Sequence, residues 1–305
     1  ENTVNYSNNF GTDHKVNLIA GYTAQKERIE RSKIESNGFT DDQITTINGG
    51  IVNSGEEVIE EWSLVSALAR LNYVFQDKYL LTATIRSDRS SRFGANSQTG
   101  IFPSVSLGWR ANEESFLSGV DEINELKLRG SYGVTGNFEI PNYGAIGLLS
   151  GANYVSGTSQ INGVAPSTSS NADLTWETSY QMNVGVDYAL LNDRIYGSID
   201  YYTTTTEDLL LFVTVPAASG FDVALTNIGE VENKGFEFSM TSRNMVGPLN
   251  WATDFNFAAN QNTVTKLGPE GDDILSSGAA GARHITRIGD AIGSYYGYVV
   301  DGIYQ

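Results

Sequence analysis

Apolar residues occupy every second position in one segment of this chain after another, and the pattern is clearest between residues 79 and 137. Successive side chains of a β-strand point to opposite faces, so the alternation gives each segment one apolar and one polar face. In the segment that begins at Tyr79, Leu81 and Ile85 share one face while Thr82 and Arg86 share the other. The same pattern predicts strands over residues 14–25, 63–75, 79–88, 101–110, 126–134, 182–190, 195–201, 236–240 and 251–257.

The connections between the predicted strands alternate in length. The shorter ones follow Phe75, Trp109, Leu190 and Met240, and the longer ones follow Ile85, Val134, Tyr201 and Phe257. No clear alternation continues in the polar stretch 28–61 or in the long Gly/Ser/Asn/Thr segment 136–173, and we expect a loop over residues 207–234. Every second connection of an antiparallel meander lies at the same end, so one end carries mainly short turns. Bacterial outer-membrane barrels have this asymmetry, with short periplasmic turns and long extracellular loops.

Composition bears on the choice between a soluble and a membrane-embedded sheet. Of the 305 residues, 40% are hydrophobic and 18% are charged, whereas about 25% are charged in typical soluble domains. The 32 Gly and 6 Pro suit many short strands with tight turns, and the 16 Tyr and 13 Phe suit a lipid–water boundary. The chain has no apolar run long enough for a transmembrane helix. A bilayer-spanning form of this sequence must therefore be a closed β-barrel.

Charged residues inside the predicted strands lie on the face opposite the apolar one. They are Arg86, Lys127, Arg129, Asp187, Asp200, Glu237 and Asp254. Such side chains are costly against lipid but acceptable in a wet lumen. Tyr73, Tyr79, Tyr188 and Trp251 lie next to the predicted short turns, where a periplasmic aromatic girdle would be. The pattern alone leaves open that these rings instead fill the core of a soluble β-protein.

The charge and the candidate chemistry exclude several classes of function. A net charge of −17 argues against nucleic acid as a partner, since phosphate binding needs clustered Lys and Arg. With no Cys and two His, the chain offers neither a disulfide framework nor a credible zinc site, and we expect no enzymatic activity and no cofactor. Asp41-Asp42 and Asp272-Asp273 offer oxygen ligands for a loop calcium ion. Neither pair has EF-hand spacing, so solvated loop carboxylates are the favoured interpretation.

Collinear blocks along most of the chain carry a family resemblance. They are YLLTATIRSDRSSRFG (79–94), FPSVSLGWR (102–110), LKLRGSYGVTGN (126–137), ADLTWET (172–178), DRIYGSIDYYTTTTEDLLL (193–211), NIGEVENKGFEFSM (227–240) and GDAIGSYYGYVVDGIYQ (289–305). Together they resemble the barrel of SusC/RagA-type TonB-dependent transporters of the Gram-negative outer membrane. The resemblance implies a 22-stranded barrel with an N-terminal plug, energised by the TonB complex. It also implies a SusD-like surface lipoprotein that lids the barrel and helps capture glycans or peptides.

We expect residues 1–305 to form one partial barrel domain from the middle to late barrel, with about a dozen strands. Neither a plug domain nor a TonB-contacting segment is recognisable, and the final barrel strands expected after Gln305 are missing. A piece of this kind would not close a 22-stranded cylinder, and its sheet edges would be exposed. By itself it is not expected to transport anything.

Loop and lumen side chains provide the candidate ligand contacts. They are Arg92, Phe93, Tyr143 and Tyr154 in the loops and Arg86, Arg129 and Asp187 in the lumen. A guanidinium or an aromatic ring stacks on a sugar, and the tyrosines of the longest loop can also contact the lipoprotein lid. Packing of the loops across the barrel mouth explains the same loop residues, and the sequence leaves both roles open.

We therefore expect a fragment of an outer-membrane importer of glycans or peptides, placed in outer-membrane lipid and working with a SusD-like lipoprotein. A TonB-dependent receptor for siderophores or cobalamin is one alternative. A soluble or surface-attached β-rich carbohydrate-binding protein is another, and a passive porin is a third.

Overall fold

The computed structural model describes residues 1–268, 271–277, 283–297 and 302, and its regular structure is β apart from short 3-10 turns. These turns are Ile47–Gly49, Ala111–Glu113 and Ala217–Ser219. In chain order the strands are β1 (Asn2–Phe10), β2 (His14–Asn37), β3 (Ile51–Phe75), β4 (Tyr79–Ser90), β5 (Thr99–Arg110), β6 (Ile123–Asn137), β7 (Leu149–Gly151), β8 (Tyr154–Ser156), β9 (Ser159–Ile161), β10 (Val164–Pro166), β11 (Glu177–Leu190), β12 (Ile195–Glu207), β13 (Leu210–Thr214), β14 (Val223–Asn227), β15 (Glu230–Met245), β16 (Trp251–Lys266), β17 (Ile274–Ser277), β18 (Arg283–Thr286) and β19 (Ser294–Tyr296).

Ten of these strands form one antiparallel meander in the order β1-β2-β3-β4-β5-β6-β11-β12-β15-β16. This confirms the expected all-β antiparallel fold, with ten main-sheet strands in the described part where about a dozen were expected. The remaining strands belong to small sheets of two or three strands within the connections and after β16. No helix in the described residues is long and apolar enough to cross a bilayer.

The register of the main sheet confirms the predicted two-face pattern. Tyr73 pairs with Leu81, Leu81 with Leu107, Leu107 with Gly130, and Gly130 with Val184. Because directly paired residues of neighbouring strands point to the same face, these positions form one row across five strands. Leu107 exposes 61% of its surface on this outer face. The alternating side chains therefore leave an apolar belt outside and the charged side chains inside.

The connections also follow the predicted asymmetry. Residues 11–13, 76–78, 191–194 and 246–250 join strands at one end, which we call the short-turn end. Residues 38–50, 91–98, 138–176 and 208–229 join strands at the opposite, long-loop end. One connection departs from the pattern, because residues 111–122 at the short-turn end are longer than residues 91–98 at the long-loop end.

Residues 28–61, in which the sequence shows no clear alternation, form strand over most of their length. β2 continues to Asn37 and β3 begins at Ile51, so the two strands form one long hairpin. A membrane-spanning strand needs only about 9–11 residues, so the distal half of this hairpin projects beyond the belt. Both of its faces are wet there, and cross-strand ion pairs such as Arg28–Glu61, at 3.1 Å, replace the apolar alternation. The alternation of apolar and polar residues stops in this part of the hairpin because neither face contacts lipid.

Two further boundaries differ from the sequence expectation. The loop predicted over residues 207–234 ends sooner, because β15 begins at Glu230, and the connection contains the hairpin β13–β14. β1 was not predicted, although Val4 and Tyr6 face outward and pair with Ala20 and Leu18 of β2. Asparagines interrupt the apolar face of β1 and weaken its signal.

The carboxylate of Glu114 accepts hydrogen bonds from three side chains at the short-turn end. The Tyr79 hydroxyl donates a 2.7 Å hydrogen bond to Glu114 Oε1, Trp109 Nε1 donates to the same oxygen at 3.2 Å, and Lys78 Nζ donates to Oε2 at 3.1 Å. The bond from Tyr79 contributes most, followed by those from Trp109 and Lys78. Together they hold the pKa of Glu114 below its ordinary value of 4.5.

This arrangement predicts an acid-dependent loss of stability. A carboxylate with a lowered folded-state pKa stabilises the fold fully above its unfolded pKa, here 4.5, and loses that contribution as the pH falls through the folded value. Replacing Glu114 with Gln should therefore flatten the decrease in unfolding free energy below pH 4.5, as measured by urea unfolding of the full-length protein in lipid. Ser118→Ala in the same connection is the control, because it leaves the bonds to Glu114 in place and should keep the wild-type slope. Identical slopes for all three proteins would contradict the role of Glu114.

Candidate functional site

Side chains from three long-loop connections pack into one hydrophobic cluster at the long-loop end, which we call the loop core. Its buried members are Phe93, Phe102, Ile140, Ala145, Leu174, Trp176 and Leu225. Phe102 comes from β5, and the others come from the connections 91–98, 138–176 and 208–229 together with β14. The loops are therefore not independent of one another, because each contributes to a shared apolar interior.

The Phe93-Gly94 pair docks directly on the segment that precedes β11. Gly94 N donates to Leu174 O at 3.0 Å, and a methyl group placed at Gly94 would lie 2.0 Å from Ala172 O. The Phe93 ring centroid lies 4.7 Å from that of Trp176. Two of the blocks that carry the family resemblance thus contact each other, and only glycine permits so close a backbone approach.

Asn227 attaches the third connection to the same segment. Thr175 N donates to Asn227 Oδ1 at 2.9 Å, and Asn227 Nδ2 donates to Thr175 O at 2.8 Å. The side-chain amide therefore pairs with the backbone of Thr175 as a neighbouring strand would. Asn171 Nδ2 adds a 3.3 Å bond to Leu225 O. Backbone groups that no sheet reaches are satisfied in this way.

Arg92 joins the loop core to the long β2–β3 hairpin, and we call this contact the Arg92 clamp. Its Cζ lies 4.6 Å from the centroid of the Trp62 ring of β3 and 5.4 Å from that of Phe138. Its Nε donates to Asn142 Oδ1 at 2.9 Å, and Asn142 Nδ2 donates to Glu60 Oε2 at 2.7 Å. One guanidinium thus connects residues of the hairpin with residues of the longest loop.

The other loop candidates differ in how accessible they are. Phe93 exposes 2% of its surface, so its ring contacts protein. Tyr143 accepts a 2.9 Å hydrogen bond from Glu61 N through its hydroxyl, which adds a second contact between the longest loop and the hairpin. Tyr154 lies in the small β8–β9 hairpin of the same loop and exposes 55% of its surface. Of these three side chains, Tyr154 is the one that presents its ring to solvent.

The lumen face carries a chain of charges across three strands. Arg129 of β6 bonds to Asp187 of β11 at 2.8 Å and to Asp200 of β12 at 3.0 Å. Lys127 reaches Asp187 at 3.3 Å. Arg129 passes over β11 at Gly185, where an added methyl group would lie 2.4 Å from Asp200 Oδ1 and 2.9 Å from Arg129 Nη2. The glycine provides the space in which the charges meet.

Arg86 belongs to a separate group on β3 and β4. Its Nε lies 2.8 Å from both oxygens of Asp88, and its Nη2 donates to Ser66 Oγ at 3.2 Å. Asp88 and Ser66 are buried, whereas the Arg86 side chain is partly open to the lumen. The structure thus separates the three lumen candidates into two groups, with Arg129 and Asp187 together and Arg86 apart.

Two of the loop carboxylates weighed as calcium ligands have protein partners. Within the described residues, no group of three or more His, Asp or Glu side chains is arranged to hold a metal ion. Asp41 Oδ1 accepts a 2.7 Å bond from Gln43 N, as in a turn. Asp273 forms an ion pair with Arg287 at 2.7 Å, and the hydrogen bond from that guanidinium lowers the pKa of Asp273 and raises the pKa of Arg287.

Comparison with known proteins identifies the family. A family model described as the β-barrel of TonB-dependent receptor-like proteins matches residues 1–300. The chain belongs to this family. It is therefore part of an outer-membrane receptor barrel, with the short-turn end on the periplasmic side and the long-loop end outside.

Relatives of this receptor barrel point to the SusC type. The chain is 40% identical to TonB-dependent receptor P3 of Formosa agariphila over 314 residues, and the match covers 100% of this chain and 31% of that protein. It is 37% identical to TonB-dependent receptor SusC of Bacteroides thetaiotaomicron over 251 residues, covering 77% of this chain and 25% of SusC. The chain thus spans less than a third of the curated relatives it matches.

A solved structure shows the same arrangement of strands. The RagAB peptide importer in its closed-closed state matches with a TM-score of 0.84 and 28% identity, over 94% of this chain and 32% of that one. The match confirms the receptor-barrel fold of the strands and the SusC/RagA type suggested by the sequence blocks. The last of these blocks lies partly outside the described residues, at 298–301 and 303–305.

Sequence reasoning missed several side chains that hold this receptor barrel's mouth together. Trp62, Asn142 and Asn227 make the contacts described above, and none was singled out. Asn227 opens one of the resemblance blocks, which was the available signal. Trp62 lies between the stretch 28–61, which shows no alternation, and the strand predicted from residue 63, so the alternation gave no reason to select it.

The Arg92 clamp predicts a measurable loss of local order. Arg92→Ala removes two cation–π contacts and the hydrogen bonds from the guanidinium to Asn142 Oδ1 and Phe138 O, a cost of roughly 2 kcal/mol to local opening. We expect faster amide hydrogen exchange in residues 60–64 and 138–146 of the full-length protein in lipid. Arg92→Lys keeps the charge without the planar fork and should give an intermediate rate. Arg89→Ala, which loses contacts to Gln98 alone, is the control; equal exchange in it and Arg92→Ala would contradict the clamp.

The space that Gly185 leaves for Arg129 and Asp200 predicts that a larger residue there lowers the stability of the fold. Gly185→Ala should push Arg129 away from Asp200 and lower the unfolding free energy by about 1 kcal/mol, because the pair is only partly shielded from water. Gly133→Ala on the same lumen face is the control, since its added methyl group would meet only Ser104 Cβ at 3.3 Å. Denaturant titration in lipid gives the comparison. Equal destabilisation by the two variants would show that the loss of stability does not come from separating Arg129 from Asp200.

Proposed function

We propose that this chain supplies barrel wall and extracellular mouth to a TonB-dependent importer of glycans or peptides, which works with a SusD-like surface lipoprotein. The observation that carries the proposal is the loop core, in which three connections of a SusC-type barrel pack as one unit at the outer end. A mouth built in this way keeps a fixed shape around an entering ligand. Independent loops would have to be ordered again at each binding event.

Import requires no chemistry on the ligand. The ligand is captured between the lipoprotein lid and the barrel, the TonB complex pulls on the plug and remodels it, and the ligand passes to the periplasm. The described residues contribute a polar lumen wall, in which Arg129, Lys127, Asp187 and Asp200 neutralise one another. The charges cancel within this group, so this part of the wall attracts neither cations nor anions strongly, which suits passage of a neutral sugar or a mixed peptide. The chain is accordingly proposed to be a transporter component and not an enzyme.

The accessible candidates are the proposed ligand contacts. Tyr154 presents an exposed ring that can stack on a sugar or on a peptide side chain. Arg86, Arg129 and Asp187 line the lumen with side chains that are partly open. Arg92, Phe93 and Tyr143 are assigned to positioning the loops, because their polar groups and rings are engaged with the protein.

The siderophore or cobalamin receptor remains the second candidate function. The siderophore receptor PirA of Acinetobacter baumannii shares 15% identity with this chain at a TM-score of 0.51, a likeness that shows the fold alone. The 37% identity to SusC and the 28% identity to RagAB favour the SusC type. Membership of an outer-membrane receptor family argues against a soluble carbohydrate-binding protein.

Purification of the tagged full-length protein from detergent-extracted outer membranes tests the proposal. We expect a surface lipoprotein to copurify, and deletion of the gene to abolish growth on one class of glycan or on peptides. Tyr154→Ala should weaken uptake of that nutrient several-fold, and Tyr154→Phe, which keeps the ring, should retain it. A protein without a lipoprotein partner, whose deletion abolishes uptake of a siderophore or cobalamin, would overturn the proposal in favour of the second candidate.

A further inference from the structure

An apolar groove crosses the outer face of the sheet near the short-turn end. It runs from β2 to β6 and has a volume of about 700 Å³. Two rows of paired residues form its sides, with Tyr79, Trp109 and Leu128 nearer the short turns and Leu81, Leu107 and Gly130 farther away. Backbone between the rows forms its floor. This groove is separate from the lumen and the loop core.

The groove is preformed, and none of the described residues fills it. Tyr79 and Trp109 are held by their hydrogen bonds to Glu114, so their rings form a fixed wall on the side of the short turns. At the far end, the missing side chain of Gly130 leaves open space, because a methyl group placed there would meet no heavy atom within 4 Å. A groove with one rigid aromatic wall and one open end can accept a flexible apolar ligand without rearrangement.

The dimensions of the groove suit a long, thin occupant. Its path from β2 to β6 crosses four inter-strand spacings of about 4.8 Å, or about 19 Å in total. An extended fatty acyl chain has a comparable length. A second barrel packing on this convex outer face would bridge the groove and leave it empty.

We propose that this groove binds one acyl chain of a phospholipid from the periplasmic leaflet of the outer membrane. The groove is continuous with the apolar belt that faces the bilayer, and it lies beside the aromatic residues at the short-turn, periplasmic end. A chain seated there gains contact with the fixed ring of Trp109 and with Leu81 and Leu107, instead of with other mobile chains. It therefore exchanges more slowly than the surrounding lipid. This inference rests on the membrane location of the barrel and is independent of the imported ligand.

Native mass spectrometry of the full-length protein tests the proposal. The protein in mild detergent is equilibrated with vesicles of phosphatidylethanolamine carrying deuterated acyl chains, and the retained lipid is counted after detergent washing. We expect the wild type to retain one labelled lipid. Gly130→Phe, which fills the groove, should reduce the retained fraction at least tenfold. Ala259→Phe is the matched control, because Ala259 of β16 pairs with the outward Phe236 of β15, away from the groove.

Other outcomes overturn the proposal. Equal retention by the wild type and Gly130→Phe would show that the groove holds no specific chain, as would a wild type that retains none. Loss of a dimer in Gly130→Phe with unchanged lipid retention would assign the groove to contact with a second copy. If Gly130→Phe does not fold, as judged by the heat-dependent shift of its mobility in SDS gels, Gly130→Leu fills less space and gives the same comparison.

Discussion

The structure depends on one requirement of the bilayer, namely that every backbone N–H and C=O in hydrocarbon must be hydrogen-bonded within the protein. The ten-stranded meander meets it through continuous ladders, such as the pairing of β11 with β12 from Thr178–Glu207 to Leu190–Ile195. Continuous pairing fixes the register, and the register sends alternate side chains to lipid and to lumen. The apolar belt, the charged wall and the outer groove all follow from that single arrangement.

Outside the bilayer, backbone groups need not all be paired in β-ladders. Side chains there make contacts that join the segments between the strands. Asn227 pairs with the backbone of Thr175, and Arg92 lies against two aromatic rings. These contacts join segments that are far apart in the chain, so the outer mouth behaves as one packed unit. The proposed capture of a ligand under a lipoprotein lid requires a mouth that holds its shape.

The sequence was informative wherever lipid selects residues on one face. The strand containing Leu81 and Ile85 and the lumen position of Arg129 were therefore predicted correctly. The distal part of the β2–β3 hairpin was not, because both of its faces lie in water and carry charges. The role of Gly185 could not be read from the sequence either, since it depends on the register that brings Arg129 and Asp200 to either side of it.

The alternation across β11 is the central claim, and spin labelling tests it most directly. This chain contributes no Cys, and any Cys elsewhere in the full-length protein is first replaced with Ser. Single cysteines are then introduced in turn at Gln181, Met182, Asn183, Val184, Val186 and Asp187 of that protein in lipid. The account predicts that labels at 182, 184 and 186 collide mainly with oxygen, which concentrates in lipid. Labels at 181, 183 and 187 should collide mainly with a water-soluble nickel chelate. Accessibility without this period of two, or with the two faces reversed, would contradict the barrel-wall assignment.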